Sequence, residues 1–250
     1  MTMKIMAKWI VTRAGLLILT CILASSPVAA AGRIPEKLIY SLSWTGINVG
    51  TATQEIADEG HFRRIVSTAK SNDWLSAFFP VNDRTDSFTT KEEPFPGRSY
   101  YFRMQTREGS RMRDREITFD QEGRKAVYHD RLSGKKTDVP IEVNTYDIYS
   151  SFMYVRFLDL KVGKPLYVNL LDGKKLRRIE IRVLRKERVS TPVGDFDTIA
   201  IEPMVAPEGV FEGKKGAVIW LTDDARRIPV KAQTKVTVGS VTAVLTGGVY

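Results

Sequence analysis

The sequence predicts a mainly β protein: a large curled antiparallel sheet (an open barrel, half-barrel or spiral) with one main α-helix. Three observations lead there. After Gly32, apolar and polar residues alternate with a period of two, which places every second side chain on one face of a strand. Turn pairs, namely Thr45-Gly46, Glu59-Gly60, Glu122-Gly123, Ser133-Gly134, Asp172-Gly173 and Gly239-Ser240, cut the alternating runs into short strands. Links this short join antiparallel neighbours, because a parallel crossover needs roughly a dozen residues or more.

Ahead of the strands, residues 1–31 read as a signal peptide. Lys4, Lys8 and Arg13 precede an apolar run over 14–24, and small residues fill 25–31. The run is about half the ~20 residues of a membrane-spanning helix. Cleavage at Val28-Ala29-Ala30 or Ala29-Ala30-Ala31 exports residues 32–250 to the periplasm as a single β-rich envelope domain. Cys21, the only cysteine, lies in the leader, so the exported chain has neither a disulfide nor a thiolate. Ile18-Leu19-Thr20 before it lacks the small residue that lipid attachment requires.

Leu38, Tyr40, Leu42 and Trp44 form the first inward row. Strands are expected next over 51–56, 62–70, 86–90, 99–106, 115–119 and 125–130. A short helical turn is expected over 73–79, where Trp74, Leu75, Phe78 and Phe79 crowd together. The main helix is expected from 144 to about 160. Asn144 would be its cap and Asp147 the capping-box partner, with Ile148, Phe152 and Val155 on one face. Beyond it, 166–170 is strand-like, and Ile179, Ile181 and Val183 alternate with Arg178, Glu180 and Arg182. The last strands fall over 198–204, 217–221, 230–238 and 241–246. About a dozen strands cannot stay flat and open without exposing edges and an apolar face. The sheet should therefore curl, with the helix packed against it or plugging one end.

Composition is that of a packed globular chain, with 43% hydrophobic and 27% charged residues. The net charge of +9 falls to about +6 without Lys4, Lys8 and Arg13, enough for peripheral contact with anionic envelope surfaces. Acids interleave the bases, as in Arg111-Met112-Arg113-Asp114-Arg115-Glu116, so no nucleic-acid partner is expected.

No cofactor or metal is expected, since His61 and His129 each stand apart from a second ligand at metal-site spacing. Ser67-Thr68-Ala69-Lys70 spells the Ser-x-x-Lys pattern of penicillin-recognising enzymes. That motif opens a helix, however, and here it lies in a strand without a Lys-Thr-Gly partner downstream. A Gly-x-Ser-x-Gly elbow, a phosphate loop and a dinucleotide fingerprint are absent from the sequence. Asp83 and Asp86 flank Arg84, and Asp223-Asp224 precede Arg226-Arg227; adjacent bases keep such acids ionised, the reverse of a raised general acid. On the helix, Asp147 and Arg156 point in opposite directions, so each needs a partner across the sheet. Asp83, Arg84, Ser87, Asp147, Arg156, Asp224 and Arg227 are thus expected to form a structural polar network, with no catalytic residue. Trp74, Leu75, Phe78 and Phe79, with Trp44 and Trp220, are the candidate site for a lipid, another hydrophobic ligand or an envelope protein. The bland alternative is that this patch seals the barrel end.

Several segments carry a family resemblance. They are residues 44–50 (Trp-Thr-Gly-Ile-Asn-Val-Gly), 83–87 (Asp-Arg-Thr-Asp-Ser), 147–151 (Asp-Ile-Tyr-Ser-Ser) with Tyr154-Val155-Arg156, 191–196 and 219–230. In this order and spacing the chain resembles the bacterial exported family catalogued as domain-of-unknown-function family 3108, over nearly all of its exported length. The resemblance implies a β-rich envelope protein and brings no activity or catalytic residues with it.

The expected function is that of an exported, soluble, noncatalytic periplasmic protein that binds a hydrophobic ligand or envelope partner and supports envelope integrity. One alternative is an envelope glycan or ester hydrolase using Asp83, Asp86, Asp147 or Asp224. Another is an integral outer-membrane barrel, suggested by the many strands and the terminal Tyr250. Against the latter, the rows are short and interrupted by Lys and Arg.

Overall fold

A computed structural model describes residues 34–204 and 217–250; the expected leader, 1–31, and Cys21 lie outside them. The chain begins with β1 (Glu36–Trp44), β2 (Ile47–Glu59) and β3 (Phe62–Ser71), then the one-turn helix α1 (Asp73–Ser76). There follow β4 (Asn82–Thr90), β5 (Ser99–Glu108), β6 (Arg111–Asp120), β7 (Lys125–Asp130) and β8 (Lys135–Pro140). The short β9 (Thr145–Tyr146) leads into α2 (Ile148–Arg156). The chain then runs through β10 (Leu166–Asp172), β11 (Lys175–Thr191), β12 (Gly194–Pro203), β13 (Val218–Thr222), β14 (Pro229–Lys235) and β15 (Ser240–Val249).

The fifteen strands of the described residues form one sheet, ordered β8-β7-β6-β5-β4-β3-β2-β1-β15-β14-β13-β12-β11-β10-β9. Most strands pair antiparallel with their neighbours in sequence, several through tight hairpins, and the last strand returns to pair with the first, Leu42 opposite Ala243. Among the described residues, only β9 and β10 pair in parallel, at Thr145 and Asn169. The sheet does not close, because β8 and β9 end it without pairing to each other. It does curl. Register shifts at Ile39/Tyr40, Leu42/Ser43, Phe88/Thr89, Val183/Arg185 and Trp220/Leu221 bend the strands. As a result Leu171 and Leu176, far along the strand order, pack against Phe102, Ile117, Ala126 and Val139.

Neither β8 nor β9 was expected. The β8 sequence, Lys-Lys-Thr-Asp-Val-Pro, buries only Val139 because it is an edge strand, and β9 is two residues long. The main helix also starts later than expected. Tyr146 is still extended against Leu170 of β10, so the helix cannot begin until Asp147. Asp147 is the cap, its carboxylate accepting the Tyr149 and Ser150 amides. Asn144 instead sits in a left-handed turn, at φ 62°.

α2 lies on the concave face. Val155 packs with Val168, Leu170, Ile179, Ile181 and Ile201, while Met153 reaches Ile56, Ile65 and Phe95. Two polar anchors fix it. Asp147, 1% exposed, accepts hydroxyl bonds from Ser87 (2.8 Å), Ser99 (3.1 Å) and Ser150 (2.7 Å), tying the helix start to β4 and β5. Arg156, also 1% exposed, donates to both oxygens of Glu36 at 2.8 Å. Its guanidinium further donates to the carbonyls of Arg226 (3.0 Å) and Arg227 (2.9 Å), tying the helix end to β1 and the β13–β14 loop.

The convex face is charged. Lys37–Glu55 (2.8 Å), Arg64–Asp86 (2.6 Å), Arg103–Asp114 (2.8 Å) and His129–Glu116 (2.8 Å) all lie on it. A membrane-spanning barrel needs a closed sheet and an uncharged outer band. Among the described residues the sheet is open and this outer face carries charge, which argues against the outer-membrane-barrel alternative. Among them, no helix is long and apolar enough to cross a membrane.

Candidate ligand-binding cavity

Alternation along β1 turns Leu42 and Trp44 toward the inside at one end of the curled sheet. There they meet Val49 of β2, Ala69 and Ser71 of β3, Leu75 of α1, and Phe79, Val81 and Asp83 at the start of β4. Glu108 at the end of β5, the 236–238 bend and Val241 complete the wall. The enclosed space is about 500 Å³ and opens to solvent. Its lining is predominantly apolar, with Lys70, Asp83 and Glu108 the charged residues among the lining groups.

Local hydrogen bonds hold the apolar wall in place. Asn72 caps α1 by accepting the Leu75 amide at 3.3 Å, and its own amide donates to the Asn48 carbonyl at 3.0 Å. The Ser71 hydroxyl accepts the Val81 amide at 2.9 Å, closing the loop that carries α1. Trp44 is tethered across the mouth, its indole donating to the Val238 carbonyl at 2.7 Å. Gly109, at φ 61°, lies under the Phe79 ring; a Cβ there would come within 2.8 Å of it.

The predicted aromatic patch divides. Leu75, Phe79 and Trp44 line the cavity. Phe78, 84% exposed, points into solvent. Trp74 lies on the outer surface of α1 with its indole donating to the Asn48 carbonyl at 3.1 Å. Trp220 is elsewhere, buried with Leu38, Tyr40 and Val230, its indole donating to the Glu187 carboxylate.

The polar network divides too. Arg84 was expected to hold Asp83 ionised, but neighbours on a strand face opposite ways. Arg84 therefore pairs on the convex side with Asp86, at 2.8 Å, and Arg64 joins them. Burial pushes the Asp86 carboxyl up, yet these two guanidiniums outweigh it and leave it below the usual range. Asp83 faces inward, and the bond it receives is the Arg107 backbone amide at 3.0 Å. Burial pushes its carboxyl up to about 6; the Arg107 bond opposes this, Glu108 adds to it, and Arg113 opposes it more weakly. In the far loop Asp224 binds Arg226 (3.1 Å) and Asp223 binds Arg227 (3.1 Å). Burial raises Asp224, but the Thr222 and Arg226 bonds outweigh it, so it too is held low.

Glu108 was missed because it ends a strand at a hairpin. The inward row Phe102, Met104, Thr106 reaches it at the next step of two, so the alternation contained the signal. A smaller apolar cavity, about 230 Å³, lies between Ile148, Phe152 and Val155 of α2 and Val168, Ile179, Ile201 and Ile219. It is core-side space under the helix. Among the described residues no group of three His, Cys, Asp or Glu side chains is arranged to hold a metal ion.

The fold is similar to that of a solved β-barrel-like protein. A β-barrel-like protein of the DUF1849 domain of unknown function from Brucella abortus superposes with a TM-score of 0.55, over 86% of this chain and 96% of that one, at 11% identity. Similarity is lower to an exported-protein structure with a YmcC-like fold from Bacteroides fragilis (TM-score 0.31, 9% identity, 86% and 96% covered). It is lower again to a lipoprotein structure from Parabacteroides distasonis (0.29, 9%, 86% and 95%). No curated protein matches the chain. The model of the DUF3108 family, proteins of unknown function, matches residues 39–246, and the chain belongs to that family.

Proposed function

We propose that this is an exported, noncatalytic periplasmic protein that holds a hydrophobic ligand in the Leu42–Leu75–Phe79 cavity and thereby supports the cell envelope. The cavity carries the reading. Its volume, about 500 Å³, falls within the roughly 300–1,000 Å³ of small-molecule sites, and its wall is apolar with a few convergent polar groups. The expected leader supports export, and the charged convex face suits a protein dissolved in the periplasm. Release by osmotic shock checks the location, and retention in the cytosol would refute it. Binding is checked by titrating the purified protein with the neutral fluorophore N-phenyl-1-naphthylamine. The expected result is saturable, one-to-one enhancement that Leu75→Asp weakens at least tenfold while the circular dichroism spectrum is unchanged. Absence of saturable enhancement with the parent protein would refute the reading.

One observation favours a second reading. Asp83, raised to about 6 beside Glu108, has the tuning of a general acid, so a hydrolase acting on a molecule held in the same cavity is the alternative. Turnover of a p-nitrophenyl acyl ester or aryl glycoside that Asp83→Asn abolishes would select it; no turnover by the parent protein discards it.

A further inference from the structure

The cavity is predominantly apolar, and its two acids come from neighbouring strands. Asp83 enters from β4 and Glu108 from the end of the neighbouring β5, joined by the bridge between Val81 and Glu108 and by the Arg107 amide on Asp83. Neither carboxylate has an ion-pair partner among the described residues. On the convex face of the same strands the acids are matched, Asp86 by Arg64 and Arg84, Asp114 by Arg103. Three cations are close, the first being Arg111, which stands opposite Glu108 in the β5–β6 register. Lys70 is exposed at the rim, and Arg113 acts on Asp83 less than any of the other influences on it. The lining thus carries two carboxylates against one ammonium. An unpaired carboxylate against apolar walls is costly to keep ionised, and a cation brought by a ligand removes that cost.

We propose that the ligand is a cationic amphiphile: an alkyl chain lies among Leu42, Trp44, Leu75 and Phe79, and a primary ammonium sits between Asp83 and Glu108. This rests on the ligand-binding reading above and adds the headgroup class. An amine-headed lipid and a free long-chain amine share the chemistry. The rise of Asp83 toward neutrality supports a pH signature. The charged groups near it are Glu108, Lys70 and Arg113, and loss of amine preference as the pH falls through about 6 is the signature expected of Asp83.

The test is displacement of bound N-phenyl-1-naphthylamine at pH 7.5 by dodecylammonium, dodecanol and dodecanoate, each below its micelle concentration. Dodecylammonium is expected to bind about tenfold tighter than dodecanol, a difference of about 1.4 kcal/mol, with dodecanoate weakest. In D83N/E108Q the amine-to-alcohol ratio is expected to fall to about one. Lysophosphatidylethanolamine is the arm that separates sources: displacement at the amine's affinity assigns a lipid headgroup, whereas displacement by dodecylammonium alone assigns a free amine. Equal binding of amine and alcohol, or preference for dodecanoate, overturns the proposal and leaves the hydrophobic site standing. Failure of every alkyl probe overturns both.

Discussion

Arg156 shows how a single side chain sets the fold here. Fully buried and fork-bonded to Glu36, it also satisfies two carbonyls of the β13–β14 loop, so α2, β1 and that loop meet at one guanidinium. Removing one partner leaves the other charge buried and unmatched, at a cost of about 3–5 kcal/mol. Arg156→Met is expected to lower the unfolding free energy in urea by that amount, and Glu36→Leu with Arg156→Met by much less. The need for distant partners at Asp147 and Arg156 was legible in the sequence, because nine residues of helix turn them apart. The identity of Glu36 was not, since it lies 120 residues away. Asp83 was misread for a local reason, adjacency in sequence being opposition across a strand. Its carboxyl, about 6 when folded against an ordinary 3.8, makes the folded state the better proton binder between those values. Its contribution to stability is therefore full below pH 4 and is lost as the pH rises through 6. Asp83→Asn is expected to raise the urea midpoint relative to the parent at pH 7.5 and to leave the difference small or reversed at pH 4. A gain confined to pH 4 would contradict the assignment.

At the scale of elements, the short helix α1 and its loop are the part whose sequence signal was richest and least specific. Crowded aromatics announced a feature, but one turn of helix sends Leu75 and Phe79 inward and leaves Phe78 in water. Phe78→Ser is expected to change stability by less than about 0.5 kcal/mol and to leave fluorophore binding intact. Gly109→Ala should do neither. It forces a side chain into left-handed backbone, costing roughly 1–2 kcal/mol, and drives a methyl against the Phe79 ring. Loss of stability together with weaker fluorophore binding is the expected outcome; unchanged binding would mean that Phe79 is not a wall of the site. The edge strands β8 and β9 were illegible because an edge buries one face weakly and needs little alternation. The late start of α2 was illegible for another reason: its first three expected residues are spent on the turn at Asn144 and on pairing with β10.

Over the whole molecule, alternation and hairpin-length turns were sufficient to define a curled antiparallel sheet with one main helix. They could not say where it stops curling. That depends on bulges at five register shifts and on contacts such as Leu171 with Phe102, which join strands far apart in the order without hydrogen bonding them. The outcome is a sheet that wraps a helix yet leaves its two edges unpaired and one end open, and the apolar space at that end is where the account places function. Photo-crosslinking tests this directly. The purified protein would be irradiated with a neutral alkyl diazirine and the labelled peptides mapped by mass spectrometry. The account predicts labelling concentrated on the segments bearing Leu42 and Trp44, Leu75 and Phe79, and Val238 and Val241. Labelling centred on Phe78 and Trp74 alone, or on the Ile148–Phe152 side of α2, would contradict it.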